Sequence, residues 1–242
     1  MAKEVYYIKY GKANSLVKSS QNWTRFSFVD NEENETISEG RIGDFSSFES
    51  QVEAQLKTVG FQKEGFFKKN TACVAFPIDS TPSDKKNIFV CCEQIGFSEV
   101  VLVCEHVALA KALKKDFPGT KTFGIIDAGF SKVDISVVEE FSVLRKASFK
   151  IGHDRYEKCL SDPILSALLF KLIASDAKRV FEDFLSTQNF QVILTGGKAN
   201  QPEFCERLQS ELEFKNPVSV IEDNDKRVIT ELESNWNSDW KK

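Results

Sequence analysis

The sequence of 242 residues contains one methionine and only two histidines, His106 and His153. It has six cysteines but no CxxC pair, so the usual zinc spacings are excluded. Cys73, Cys91, Cys92, Cys104, Cys159 and Cys205 lie mostly in apolar surroundings and read as reduced, buried thiols of a cytoplasmic protein. Positive charge is not in excess: 32 Lys and Arg stand against 36 Asp and Glu, for a net charge of −4. That excludes a globally basic nucleic-acid binder. No apolar run is long enough to span a bilayer, and Met1 to Lys12 lacks a secretory apolar stretch. The expectation is neither membrane insertion nor export. The triplets Asn22-Trp23-Thr24 and Asn34-Glu35-Thr36 are then accidental matches to a glycosylation signal. A long low-complexity linker is also missing, so two domains would meet at a short crossing near Lys114–Thr122.

What is present is ordinary globular material, 41% hydrophobic and 28% charged, with 21 phenylalanines that imply an aromatic-rich core. Alternating and β-branched segments predict strands at Val5–Tyr10, Ser15–Ser20, Thr24–Asp30, Thr71–Phe76 and Glu99–Val103. Further strands are expected at Thr122–Asp127, Val133–Glu139, Phe141–Phe149, Gln191–Leu194 and Val218–Ile221. Helical spacing appears in Phe45–Val59, with Asp44 or a neighbouring serine as cap. Helices are also expected from Pro82 to Ile95, capped by Ser80 or Thr81, and at Val107–Lys115, His153–Cys159, Pro163–Leu185 and Pro202–Leu212. In the Pro163 helix the apolar positions are Leu165, Leu168, Leu169, Leu172 and Ile173. Residues 236–242, with Trp236 and Trp240, read as a tail.

Two segments share a design. Ile8-Lys9-Tyr10-Gly11 and Ile126-Asp127-Ala128-Gly129 each lead through a short turn into a returning strand, 118 residues apart (8 and 126). Each half then continues with a third strand, a helix and another strand. This order, seen twice, predicts two related α/β lobes. A tight glycine hairpin lets backbone N–H groups approach a phosphate, and a carboxylate at a strand end can orient hydrated Mg²⁺. A third feature, Thr195-Gly196-Gly197-Lys198, puts a diglycine at a strand-to-helix junction, where backbone can approach a flat or anionic group.

Taken in order, these segments resemble the actin/Hsp70/sugar-kinase superfamily, with the Hsp70 ATPase domain as the nearest likeness and bacterial actin second. Tyr10-Gly11-Lys12-Ala13-Asn14-Ser15 is similar to the first phosphate loop. Asp127-Ala128-Gly129-Phe130-Ser131-Lys132-Val133-Asp134 is similar to the second, Lys150-Ile151-Gly152-His153-Asp154 to the segment after it, and Leu194–Pro202 to the adenosine loop. The resemblance implies an actin-like, ribonuclease H-like α/β fold. It would have two lobes, 1–118 and 119–235, each with a mixed five-stranded sheet and flanking helices. Little room remains for upper subdomains, between Asp30 and Asn70 or between Cys159 and Gln191. It also implies ATP or ADP as ligand, held by Gly11, Lys12, Asn14, Ser15, Asp127, Gly129, Gly152, Gly196, Gly197 and Lys198. In an active enzyme Glu105, Asp127 and Asp134 would be the catalytic carboxylates, and Asp127 the one on the side of any Mg²⁺.

The sequence departs from that pattern where charge matters. Lys9 stands where the first loop normally has an acid, opposite Asp127 in the repeat. Phe130 and Lys132 replace small residues of the second loop, and His106 replaces the proline after Glu105. The expectation drawn from these changes is a weakly hydrolysing or non-hydrolysing scaffold that binds a protein partner. The Tyr-Gly-x-x-Asn-Ser form of the first loop resembles that of the ribosome-associated Hsp70 relative, which implies a ribosome or a J-domain co-chaperone as that partner. An actin-like filament former and an active small ATPase or kinase are the alternatives. For Lys9 two outcomes are open: an ion pair with Asp127 in place of Mg²⁺, or a solvent-facing lysine.

Overall fold

The computed structural model describes residues 2–11, 15–28, 36–38, 41–63, 68–130, 132–151, 153–214 and 218–235. The first half runs β1 (Ala2–Lys9), β2 (Ser15–Lys18), β3 (Trp23–Phe26), the short pair β4 (Ile37–Ser38) and β5 (Arg41–Ile42), and α1 (Phe45–Thr58). It continues with β6 (Lys68–Phe76), α2 (Pro82–Ile95), β7 (Glu99–Cys104) and α3 (Glu105–Leu113). The second half runs β8 (Thr122–Ala128), β9 (Lys132–Glu139), β10 (Ser142–Lys150), α4 (His153–Ser161) and α5 (Pro163–Phe181). It ends with β11 (Phe190–Thr195), α6 (Pro202–Leu212), β12 (Val218–Val220) and α7 (Asn224–Ser234). The β4–β5 pair and α7 were not anticipated. For α7 the signal exists: an acidic start at Asp225 precedes Val228, Ile229 and Leu232 at helical spacing, and these three are buried.

The strands form two five-stranded sheets of the same order, β3-β2-β1-β6-β7 and β10-β9-β8-β11-β12. In both, the first three strands are antiparallel and the last two join in parallel. The repeat extends to register. Ile8 faces Val17 and Lys9 faces Leu16 in the first sheet; Ile126 faces Ile135 and Asp127 faces Asp134 in the second. Every one of these residues is displaced by the same 118 positions, so the two hairpins have equal length. This is the actin-like architecture expected of the sequence, with two mixed sheets and flanking helices.

The chain divides into two units, one of Met1–Ala108 with Asp225–Lys242, the other of Leu109–Asn224. The division differs from lobes at 1–118 and 119–235 in giving the last helix to the first unit. In the first unit, Tyr6, Tyr10, Phe28, Phe48, Phe61 and Phe97 belong to one buried cluster, with Tyr6 edge-on to Phe61 and Phe28 stacked on Phe48. In the second, Phe170, Phe181, Phe190 and Phe204 play that part. The aromatic surplus therefore goes into both cores.

Local chemistry sets the helix starts. The Asp44 carboxylate accepts from the Ser47 N–H ahead of α1, and Thr81 closes a capping box with Asp84 ahead of α2. Asp162 caps α5, whose first residue is Pro163. In α5, Leu169 and Ile173 are buried as their spacing predicts, while Leu165, Leu168 and Leu172 are exposed. Between α4 and α5 only Asp162 intervenes, so no subdomain is inserted there. No helix among the described residues is long and apolar enough to cross a membrane.

Candidate functional site

The two hairpins and the β11 turn are where the sequence placed its ligand chemistry, and each takes shape within its own unit. In the first hairpin the Gly11 N–H donates to the Ser15 hydroxyl at 3.0 Å, and that hydroxyl donates back to the Gly11 carbonyl at 2.8 Å. Ser15 is buried, and it holds the open end of the turn together. Lys12 and Asn14, two of the expected ligand residues, lie outside the described residues.

Lys9 ends β1, and its side chain is only 9% exposed. Its ammonium lies 2.6 Å from Asp225 Oδ1 and 3.5 Å from Glu105 Oε2. Glu105 opens α3 and Asp225 is in the first turn of α7. Acids are favoured there by the exposed N–H groups of a helix start, and one buried cation now ties both starts to the sheet. The expectation of a solvent-facing Lys9 is thereby overturned. The alternative, a pair with Asp127, joins residues of different units. Asp225 was missed because α7 itself was missed. Lys18 on the neighbouring strand pairs with Glu233, further along α7.

Burial reaches the titratable groups around this cluster. The Tyr10 hydroxyl is held well above its ordinary range by burial, reinforced by the Glu105 carboxylate. The Cys104 thiol, just before α3, is pushed up to about 11, mainly by burial. Both groups are neutral at physiological pH. His106, the residue after Glu105, is buried, which fits a core histidine.

In the second unit the Gly129 N–H donates to the Lys132 carbonyl at 3.0 Å and closes the hairpin. Lys132 does not project from the loop. Its ammonium lies 2.7 Å from Asp134 Oδ2, and Asp134 is also an acceptor for the Ser148 hydroxyl on β10. Asp127 stands opposite Asp134 in the ladder. Gly152 lies outside the described residues.

The β11 turn explains its two glycines differently. Gly196 has φ +98°, and a Cβ there would fall on the Asp127 carboxylate and the Ala128 carbonyl. Gly196 is therefore required by the fold of the second unit. Gly197 has nothing within 4 Å of where a Cβ would sit, so its face is open. Lys198 turns away into its own unit and pairs with Glu157 of α4, a partner the sequence reading did not include. Thr195 is buried, and its hydroxyl donates to the Ile221 carbonyl at 3.0 Å, locking β11 to the segment after β12.

Comparison with known proteins places this arrangement. Residues 33–179, more than half of the chain, match the family described as MreB/Mbl protein. The chain belongs to the MreB/Mbl family. Among solved structures, this MreB/Mbl chain is similar to MreB5 of Spiroplasma citri bound to ADP, with TM-score 0.71 and 12% identity over 96% of each chain. It is also similar to a MamK double helical filament, with TM-score 0.70 and 11% identity over 96% of this chain and 99% of that one. The ethanolamine utilization protein EutJ from Carboxydothermus hydrogenoformans gives TM-score 0.60 and 17% identity, covering 89% of this chain and 84% of its own. No curated protein matches.

The superfamily expected from the sequence stands, but the branch is corrected. Kinship with the MreB/Mbl family replaces the nearest likeness to the Hsp70 ATPase domain, and the chaperone-type scaffold bound to a ribosome or J-domain partner falls with it.

The superfamily implies a divalent metal ion beside the nucleotide, so the donor set of this MreB/Mbl chain must be asked whether it fits one. A protein-held Mg²⁺ or its water shell needs carboxylate oxygens that are not already neutralised. Glu105 is paired with Lys9 and Asp134 with Lys132. The residue equivalent to Asp127 in the first hairpin is Lys9 itself, and that equivalent to Asp134 is Leu16. Lysines thus engage two of the three candidate acids, Glu105 and Asp134; Asp127 is the third and would be the one to orient the ion or its waters.

Proposed function

We propose that this chain is an actin-like protein that binds an adenine nucleotide and assembles head-to-tail into filaments. Membership of the MreB/Mbl family carries the reading, since it is the one finding that separates the actin-like branch from other users of the fold. Two likenesses support it: one solved relative is bound to ADP, and another is a double helical filament. Gly197, with open space beside it at the β11 turn, suits close approach of a flat base or ribose. Self-assembly also gives a role to a protein whose partner is another copy of itself, with heterologous contacts that do not close into a ring.

The test is high-speed sedimentation of the pure chain over a range of concentrations, with ATP, with ADP and with neither. The pelleted fraction should stay near zero below a critical concentration, then rise linearly, and the threshold should differ between nucleotides. A chain that remains in the supernatant at every concentration and in every nucleotide state is not a filament protein.

A further inference from the structure

We infer that the outer edge of β10, in the second unit, is a docking strand for residues 30–35 of another copy of this chain, with lysines on the strand meeting acids on the segment. The inference deepens the proposed function: it rests on the self-assembly half of that reading and names the two surfaces that would meet.

β10 stands last in the second sheet, and among the described strands it pairs only with β9. Its other edge therefore presents backbone N–H and C=O groups along a strand of nine residues, where about five or six are usual. The strand carries Arg145, Lys146 and Lys150 and no acid. Arg145 is held by Glu182 and Asp183, just after α5. Lys146, Ser148 and Lys150 follow at two-residue spacing beyond the bulge at Val143, so they share one face, and all three are exposed. The Ser148 hydroxyl donates to Asp134, which leaves the two lysines to give that face its charge.

An open edge can pair with any extended chain, and charge on the facing side chains selects among them. Two β10 edges laid together would set lysine against lysine, which disfavours that pairing. An acidic strand is favoured instead, and the chain contains one. Asp30-Asn31-Glu32-Glu33-Asn34-Glu35 has four acids and no base, the most acidic run of six in the sequence. It lies outside the described residues, between Phe28 and Thr36. In an extended chain Asp30 and Glu32 would fall on one side, and Glu33 and Glu35 on the other. Either side offers two acids at the spacing that separates each lysine from Ser148, within reach as opposite or diagonal neighbours. The segment belongs to the first unit and the edge to the second. Each copy thus brings one surface of each kind, and contact between unlike surfaces is the kind that can extend from copy to copy.

The experiment is sedimentation velocity of the pure chain at rising concentration, in ATP and in ADP, beside two charge-reversed variants. One carries Lys146→Glu with Lys150→Glu, the other Glu32→Lys with Glu33→Lys. The wild type should self-associate. Each variant alone should need at least about tenfold more protein, because its two surfaces then repel. An equimolar mixture of the variants should recover the wild-type threshold, since each supplies what the other lacks; mixing would not repair a folding defect. A chain with all four substitutions should also associate as the wild type does. One threshold for the wild type and both variants overturns the inference and leaves self-assembly standing. Loss of association that neither the mixture nor the fourfold chain restores overturns it too. A wild type that stops at a pair, with the same charge dependence, supports the inference and removes the filament. A wild type that stays monomeric at every concentration overturns both.

Discussion

Two hairpins of one length and one register have been filled with opposite chemistry. The second puts Asp127 across from Asp134, and the first puts Lys9 across from Leu16. The acids of the second hairpin are local, while the first gets its acids from helix starts: Glu105 just after β7 and Asp225 far along the chain. The same contrast holds one strand further on. Where β11 ends in Thr195-Gly196-Gly197, β6 ends in Ala75-Phe76-Pro77. A repeated backbone thus constrains turn length and ladder register, but not the charge at its tip. Charge at a strand end can be balanced from any element that reaches it, so it is freer to diverge than the pairing that holds the strands.

The strongest way to break the comparison is to remove the cation from each hairpin. Lys9→Met leaves Glu105 and Asp225 without their shared partner at a nearly buried site, and should destabilise the protein by about 3–5 kcal/mol. Lys132→Met leaves Asp134 with the Ser148 donor, and the loss should be about 1–3 kcal/mol. Urea unfolding of both variants checks the order; equal losses would show that the two lysines are used alike.

Next is the turn that only the second unit has. Gly196→Ala needs a side chain at φ +98° and drives its Cβ into Asp127 and Ala128. It should cost about 3 kcal/mol or more, from backbone strain and overlap together. Gly197→Ala meets open space and should cost far less. Thermal unfolding of the pair separates a structural glycine from one kept for access.

The units also differ in base. In the first, Cys73 and Cys91 thiols are pushed up to about 12 by burial, Cys104 to about 11, and the Tyr7 hydroxyl to about 12. In the second unit the Cys205 thiol is also pushed upward by burial. A folded pKa above the unfolded one gives stability that is complete below the thiol's ordinary 9.0 and is lost as pH rises toward the folded value. The first unit should therefore loosen before the second between about pH 9 and 11. Brief protease pulses at rising pH, with cut sites read by mass spectrometry, should show cleavage beginning in residues 1–108.

The smallest effect lies at a matched pair of helix starts. Pro82 and Pro202 each open a helix, but Thr81 forms a capping box with Asp84 and Gln201 makes no side-chain cap. Thr81→Ala should lose about 1 kcal/mol, and Gln201→Asp should gain roughly half of that or more. Denaturant midpoints resolve both.

The sequence showed the repeat because a two-strand hairpin is a local object. Ile8-Lys9-Tyr10-Gly11 and Ile126-Asp127-Ala128-Gly129 announce it within a dozen residues, and most strands follow from alternation. The branch of the superfamily was not legible in those loops. A phosphate-type turn is shaped by backbone geometry common to every member, so its residues say little about which relative stands nearest. The partners of Lys9 were not legible either, because Asp225 becomes available only if α7 is recognised, and its three apolar residues sit among eight polar ones in an eleven-residue helix. The outer face of α5 misled in another way: Leu165, Leu168 and Leu172 carry the right periodicity for a core, yet they are exposed. Periodicity tells which residues share a face, not whether anything covers it.

The bond between Lys18 and Glu233 closes a separation of 215 residues, and Lys9 reaches Asp225 in the same neighbourhood. During synthesis the sheet of the first unit must wait for its partners Asp225 and Glu233 until α7 has left the ribosome. The second unit is an unbroken stretch of chain and meets no such delay. Maturation should consequently run against the direction of translation, with the half made later settling first.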